Sequence, residues 1–175
     1  MTTSARRLSR ATDGRPAAPV RILHLGAGNF FRAHQAWYTE HVPDAQQWGI
    51  AAFTGRSPQV AEDLAPQDGL YTLATRAADG DRTEVVSSLS AVHAAGDLEA
   101  WRGYFRSPEL AIVTSTITEA GYLRDSAGGL DLDDERVAAD RDALREDGAE
   151  AEVSTAVGRF VAGLLARRAE SGRRA

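Results

Sequence analysis

The chain has 175 residues and a net charge of −5, and with 43% apolar and 26% charged residues it has enough apolar material for one domain with a real core. The acidic balance argues against nucleic acid as the main partner, and no apolar run approaches the roughly 18 to 20 residues that span a bilayer. With no cysteine, disulfides, thiolate metal sites and thiol catalysis are excluded and the cytoplasm is the expected compartment; all 20 basic residues are arginine, so these residues alone cannot run a mechanism that needs a lysine base.

Residues 1–19 carry Arg6, Arg7, Arg10 and Arg15 but no apolar segment, so they fit a disordered leader rather than a secretory signal. Residues 20–175 are expected to form one domain. Val20 to Leu25 reads as a buried parallel strand: it is short, mostly apolar and stopped by Gly26-Ala27-Gly28. An amphipathic helix is predicted from Asn29 to His41, ending before Pro43. Gly49 to Phe53 is a second short buried strand, so the segment has the order and length of a βαβ unit.

Further on, Val60 to Leu64 fits one or two helical turns. Leu70 to Arg76 and Thr83 to Val92 have strand composition around an Asp79-Gly80 turn, which predicts an antiparallel hairpin extending the sheet. Asp97 to Phe105 is a short amphipathic helix with Asp97 as N-cap, and Ala111 to Thr118 reads as a third buried strand. Gly121 to Leu132 is loop or small hairpin, and Asp134 to Glu146 a charged, exposed helix. From Val153 to Leu165 apolar residues recur at helical spacing, a pattern that needs a sheet face to cover. The fold class is α/β: a Rossmann-like, mainly parallel sheet with an antiparallel hairpin extension and flanking helices.

The glycine turn carries the chemistry. Gly26 permits a sharp turn out of the strand, and Gly28 lets a phosphate approach the backbone without meeting a Cβ. The usual third glycine would fall at position 31, where the chain has Phe31; an aromatic there implies wider helix–strand packing or a ring turned toward the ligand. A Gly-x-Gly turn also ends many buried strands that bind nothing. Arg32, in the first helical turn, opposes the helix dipole unless an anion sits there, or else pairs with a nearby carboxylate or points into solvent. The second strand ends Phe53-Thr54-Gly55-Arg56-Ser57 without the acid that takes ribose hydroxyls in NAD sites, and Arg56 would suit a 2′-phosphate. Thr116, Thr118 and Glu119 follow the third strand, at the end of an open α/β sheet where ligands bind. The threonines are candidates for the nicotinamide ribose and Glu119 for the mouth of the active site; the alternative is a hydrogen-bonded loop.

Among the histidines, His24 reads as a satisfied core or sheet residue and His34 as structural or cofactor-proximal. The acids Asp131, Asp133, Asp134 and Glu135 lack the spacing of a calcium loop, and no metal site is expected.

The run Gly26-Ala27-Gly28-Asn29-Phe30-Phe31-Arg32-Ala33-His34 resembles the cofactor signature Gly-x-Gly-x-Phe-x-Arg-Ala-His of the mannitol dehydrogenase family, the polyol-specific long-chain dehydrogenases that include fructuronate and tagaturonate reductases. That signature also lacks the third glycine. Asp68-Gly69-Leu70-Tyr71-Thr72-Leu73, Thr116-Ile117-Thr118-Glu119-Ala120-Gly121-Tyr122 and Leu130-Asp131-Leu132 agree with it in order and spacing.

The resemblance implies a domain that binds NAD or NADP through Gly26, Ala27, Gly28, Asn29, Phe30, Phe31, Arg32, Arg56, Thr116 and Thr118, with Glu119 near the substrate. The parent reaction interconverts a secondary alcohol of a polyol or sugar acid with a ketone. In the family the lysine base, within a Lys, Asn, His motif, lies in a C-terminal helical domain absent from this chain, so no catalytic residue is assigned here and the substrate is expected only with that domain. Two alternatives are a stand-alone nucleotide-binding module and an inactive truncated fragment. A different nucleotide binder such as a methyltransferase is disfavoured by the missing acid after the second strand.

Overall fold

The computed structural model describes residues 6–174 and divides into two compact units, one formed by residues up to Ala95 with Ala111–Thr116, the other by Gly96–Leu110 with Ile117–Ala175.

The first unit is built on β1 (Val20–Leu25), which pairs in parallel with β2 (Gly49–Phe53) on one side and with β6 (Ile112–Ser115) on the other. A fourth parallel strand, β5 (Leu89–His93), joins β2, giving the order β5-β2-β1-β6. All five residues of β2 are buried, as a strand without polar alternation requires. The third predicted strand is shorter and more open than expected. It pairs only over Ile112–Ser115, and at the edge of this sheet Ile112 stays 42% and Val113 36% exposed.

The helix expected over Asn29 to His41 is two helices, α1 (Asn29–Ala33) and α2 (Gln35–Glu40). His34 separates them with φ −120° and ψ −85°, values outside the helical basin. Their inner faces, with α3 (Gln59–Leu64), bury Phe31, Ala36, Ala61 and Leu64 against Ile22, Ile50, Ala52, Leu89 and Val92 of the sheet.

The hairpin is present as β3 (Tyr71–Thr75) and β4 (Arg82–Val86), but it forms its own two-stranded sheet instead of lengthening the parallel one. The predicted strand Thr83 to Val92 breaks at Ser87 and Ser88, both buried. There the Ser87 N–H donates to Glu40 Oε2 at 2.8 Å and the Ser88 hydroxyl to the Ala36 carbonyl at 2.7 Å. Side chains and helix carbonyls thus take over from ladder partners, and the chain passes from one sheet to the other.

The N-terminal segment is also corrected. From residue 6 to Pro19 it has no regular helix or strand, yet it is not a free leader; residues 1–5 lie outside the described residues. Arg10 donates to the carbonyls of Ser87 at 2.9 Å, Leu89 at 2.7 Å and Asp68 at 3.1 Å, and also to that of Arg15. Arg15 pairs with the half-buried Glu40, and the Ala18 carbonyl accepts from Ser90.

In the second unit, α4 (Leu98–Arg106) is capped by Asp97, whose carboxylate accepts from the Ala100 N–H at 3.1 Å. It buries Trp101 and Phe105 against α6 (Ala156–Arg174), where the Trp101 ring meets Phe160 and its indole N–H donates to the Arg159 carbonyl. Within its unit α6 therefore finds helical partners, α4 and α5 (Glu135–Asp147), for the face that the sequence pattern assigns to a sheet. The buried Asp140 of α5 accepts from the backbone and hydroxyl groups of both Ser154 and Thr155, which fixes the entry to α6. Glu119–Tyr122 forms a 3₁₀ turn, and Arg124 and Leu130 bridge to close the small hairpin expected there. No helix among the described residues is long and apolar enough to cross a membrane.

Arg10→Ala removes a charged donor from the carbonyls of Ser87 and Leu89, and hydrogen bonds to charged groups contribute about 1.5 to 3 kcal/mol each. The expected outcome is a destabilisation of about 2 kcal/mol in urea unfolding with an unchanged m-value.

Candidate functional site

The site begins where β1 ends. The Gly26 and Ala27 N–H groups both donate to the Phe53 carbonyl of β2, at 2.9 and 3.0 Å, and the Gly28 N–H turns back onto the Gly26 carbonyl at 2.6 Å. Gly26 has φ +111°, and a Cβ there would collide with the Thr116 carbonyl, so the fold itself requires glycine. Gly28 differs. Its backbone is extended at φ −75° and ψ −179°, it is exposed, and the nearest atom to a Cβ would be 3.9 Å away. Nothing in the protein demands a glycine there; a Cβ would project into the open space above the turn.

The expected N-cap moves by one residue, from Asn29 to Gly28, so Asn29, Phe30 and Phe31 supply the first N–H groups of α1, which have no partner one turn back within the helix. The Arg32 guanidinium donates to the Asn29 side-chain oxygen, a neutral partner; among the described residues no carboxylate pairs with it. Its carbonyl accepts from the Tyr71 hydroxyl at 2.6 Å, tying α1 to the hairpin. Burial pushes the Tyr71 phenol up, so it stays a donor.

Phe31 packs inward, against the strand. It is 1% exposed and stacks on His24 at a centroid distance of 3.6 Å, with planes 7° apart. Two flat rings in van der Waals contact solve the packing problem that a third glycine solves elsewhere, by letting helix and strand approach through thin groups. Phe30, in contrast, is 66% exposed and stacks on His34 at 4.3 Å. Both line an open, mostly apolar groove of about 470 Å³ that also takes in Tyr38, Trp48, Ile112 and Thr116.

His24 is buried, as read from the sequence, and its hydrogen bonds are satisfied: Nδ1 lies 2.8 Å from Thr114 Oγ1, while Nε2 lies 2.8 Å from Thr116 Oγ1 and 3.2 Å from the Gly26 carbonyl. Burial lowers its pKa to about 4, against a smaller opposing effect of the Gly26 carbonyl. The Thr116 hydroxyl donates to that same carbonyl at 2.8 Å, so it faces the turn, and its residue is exposed. Arg56 stands on the exposed loop after β2 with no hydrogen bond or ion pair among the described residues. The structure thus brings Gly26 to Arg32, Arg56 and Thr116 into one unit. Thr118, which starts the 3₁₀ turn and accepts from the Gly121 N–H, and the exposed Glu119 belong to the other.

Sequence reasoning did not identify Thr114, Gln35 and Tyr71 as supports of the turn. The available signals were a polar residue inside an apolar strand and a Thr-x-Thr pattern at the end of its neighbour, but neither reveals that the two strands are adjacent.

A family model described as the mannitol dehydrogenase Rossmann domain matches residues 20–175. The chain is 37% identical to D-arabinitol 4-dehydrogenase of Ralstonia nicotianae, over 89% of this chain and 33% of that protein, and 40% identical to polyol:NADP oxidoreductase of Gluconobacter oxydans, over 68% and 26%. It is 38% identical to D-mannonate oxidoreductase of Escherichia coli, over 64% and 25%. The crystal structure of a D-sorbitol dehydrogenase in substrate-free form superposes with a TM-score of 0.75 at 34% identity, covering 89% of this chain and 32% of that one. The chain therefore spans a quarter to a third of the length of these relatives.

Two outcomes follow. Gly26→Ala should lower thermal stability by several degrees, whereas Gly28→Ala should leave it within about 1 °C, because only the first substitution meets a positive φ and a carbonyl. A depressed histidine pKa means that the unfolded chain binds the proton more readily. Stability should therefore fall as pH drops from about 6.5 toward 4, by up to about 1.4 kcal/mol per pH unit, and urea unfolding of wild type against His24→Gln isolates this component.

Proposed function

Because the chain belongs to the mannitol dehydrogenase family, we propose that its first unit holds a nicotinamide dinucleotide, with the pyrophosphate over Gly26-Ala27-Gly28 and the first turn of α1. The observation that carries this reading is Gly28, a glycine that the protein's own packing does not need and whose missing Cβ leaves the turn open to a ligand. The first N–H groups of α1 and the Arg32 charge, held beside a neutral amide, suit an anion in the same place.

When bound, the nicotinamide supplies the carbon that gives or takes the hydride. The residues of this chain bind and orient. Exposed Phe30 and His34 offer a flat stacked surface beside the turn, and Thr116 holds the turn from the edge strand. Thr118 and Glu119 are proposed to lie toward the nicotinamide ribose and the substrate. Arg56, exposed where an acid would favour unphosphorylated ribose, supports acceptance of NADP as well as NAD, as does the likeness to a polyol:NADP oxidoreductase.

The reaction proposed for the complete enzyme is interconversion of a polyol or sugar-acid alcohol with its ketone, with the proton-transferring base outside these 175 residues. The absence of lysine and the much greater length of the relatives support this division. The cysteine-free chain draws nothing from an oxidising compartment, and the cytoplasm is its expected setting.

Titration of the purified chain with NADH and NADPH, followed by tryptophan fluorescence, tests the reading. Saturable binding is expected. Gly28→Ala should weaken it at least tenfold with the melting temperature unchanged, and Arg56→Ala should weaken NADPH more than NADH. A wild-type chain that binds neither dinucleotide would overturn the proposal.

A further inference from the structure

Five polar groups connect α2 to the glycine turn through the sheet. Gln35 Nε2 lies 3.1 Å from Thr114 Oγ1, Thr114 Oγ1 2.8 Å from His24 Nδ1, His24 Nε2 2.8 Å from Thr116 Oγ1, and Thr116 Oγ1 2.8 Å from the Gly26 carbonyl. Each threonine has one hydroxyl hydrogen, a neutral imidazole has one N–H, and the carbonyl has none.

Counting hydrogens decides their direction. If His24 carried its proton on Nδ1, the Thr116 hydroxyl would donate to Nε2. The Gly26 oxygen would then face a bare nitrogen at 3.2 Å and a bare oxygen at 2.8 Å. If the proton is on Nε2, each of these four contacts has a donor and an acceptor, and only the 3.2 Å approach of Gln35 Oε1 to Thr114 Oγ1 is left without a hydrogen. Gln35 donates to Thr114, Thr114 to Nδ1, Nε2–H to Thr116, and Thr116 to Gly26.

We propose that His24 is a positioning residue for the dinucleotide turn: as the neutral Nε2–H tautomer, wedged between Thr114 and Thr116 under the Phe31 ring, it fixes the direction of a one-way hydrogen-bond relay that ends on the Gly26 carbonyl. The turn is then held from both neighbours of β1, through its N–H groups by Phe53 of β2 and through its C=O by Thr116 beside β6. Phe31 covers one face of the imidazole, and this stacking sets the plane in which its nitrogens meet both threonines. The depressed pKa of His24 keeps the imidazole neutral at physiological pH, as the relay requires.

Two substitutions separate positioning from general support. A glutamine at position 24 places an amide nitrogen near the site of Nε2 and still reaches Thr116; an asparagine places its amide near Nδ1 and does not. The inference rests on the dinucleotide reading for its effect on affinity, so the experiment includes measurements that need no ligand.

In the full chain, nitrogen-15 shifts of the His24 ring should report a protonated Nε2 and an unprotonated Nδ1 at pH 7. Hydrogen exchange at the Gly26 and Ala27 amides should accelerate at least tenfold in His24→Asn and stay within about threefold in His24→Gln. NADH dissociation constants should follow the same pattern, and Thr116→Val should reproduce His24→Asn while Thr116→Ser does not. The opposite tautomer would overturn the proposal, as would equal exchange rates in the two His24 variants. Should wild type bind no dinucleotide while the tautomer and exchange pattern hold, the relay stands and the cofactor reading fails.

Discussion

The first unit depends on a backbone position that a side chain cannot occupy. At Gly26 the chain leaves β1 with φ +111° and passes directly against the Thr116 carbonyl, while its N–H reaches the Phe53 carbonyl. These contacts connect β1, its neighbour β2 and the end of the edge strand β6 at one residue. The parallel registers, Leu25 opposite Phe53 and opposite Ser115, bring both carbonyls to the same level, and the turn closes because they are there. A shift of β2 or β6 by one residue would remove an anchor and would also turn the buried faces outward.

The chain also shows how a Rossmann-type turn works without its third glycine. A glycine there normally lets the helix approach the strand. Here the helix presents Phe31, and the strand presents His24, whose ring is equally thin and lies nearly parallel to it. A buried imidazole has to satisfy two nitrogens, and Thr114 and Thr116 of the neighbouring strand do so. In this chain an aromatic on α1 therefore meets a histidine in β1, which is held in turn by hydroxyls in and just after β6, far away in sequence. The family signature specifies none of these three: its Phe falls on Phe30 and leaves position 31 open.

Outside the turn, polar groups do work that hydrophobic pattern would assign to strands. Ser87 and Ser88 interrupt an apparently continuous strand, and Glu40, Ala36 and Arg10 accept or supply the hydrogen bonds that the interruption leaves over. The price is a dependence on the N-terminal segment, whose Arg10 caps the carbonyls of Ser87 and Leu89. Membership in the mannitol dehydrogenase family gives this architecture its context, because the hairpin joined to α1 through Tyr71 lies within the region matched by the family model.

What the sequence determined by itself was local. The alternation of short apolar runs with glycine turns named β1 and β2 to the residue, Asp97 capped the helix predicted after it, and the spacing Gly26-x-Gly28 located the turn. These signals are legible because period, capping and positive φ depend on neighbours a few residues away. Tertiary structure decided the rest: the split of Thr83 to Val92 between two sheets, the helix break at His34, the docking of residues 6–19, and the burial of Phe31 against His24. It also separated two glycines that the motif treats alike. Gly26 is needed because Thr116, 90 residues on, passes beside it, whereas Gly28 faces open space, and that difference lies between strands brought together only by folding.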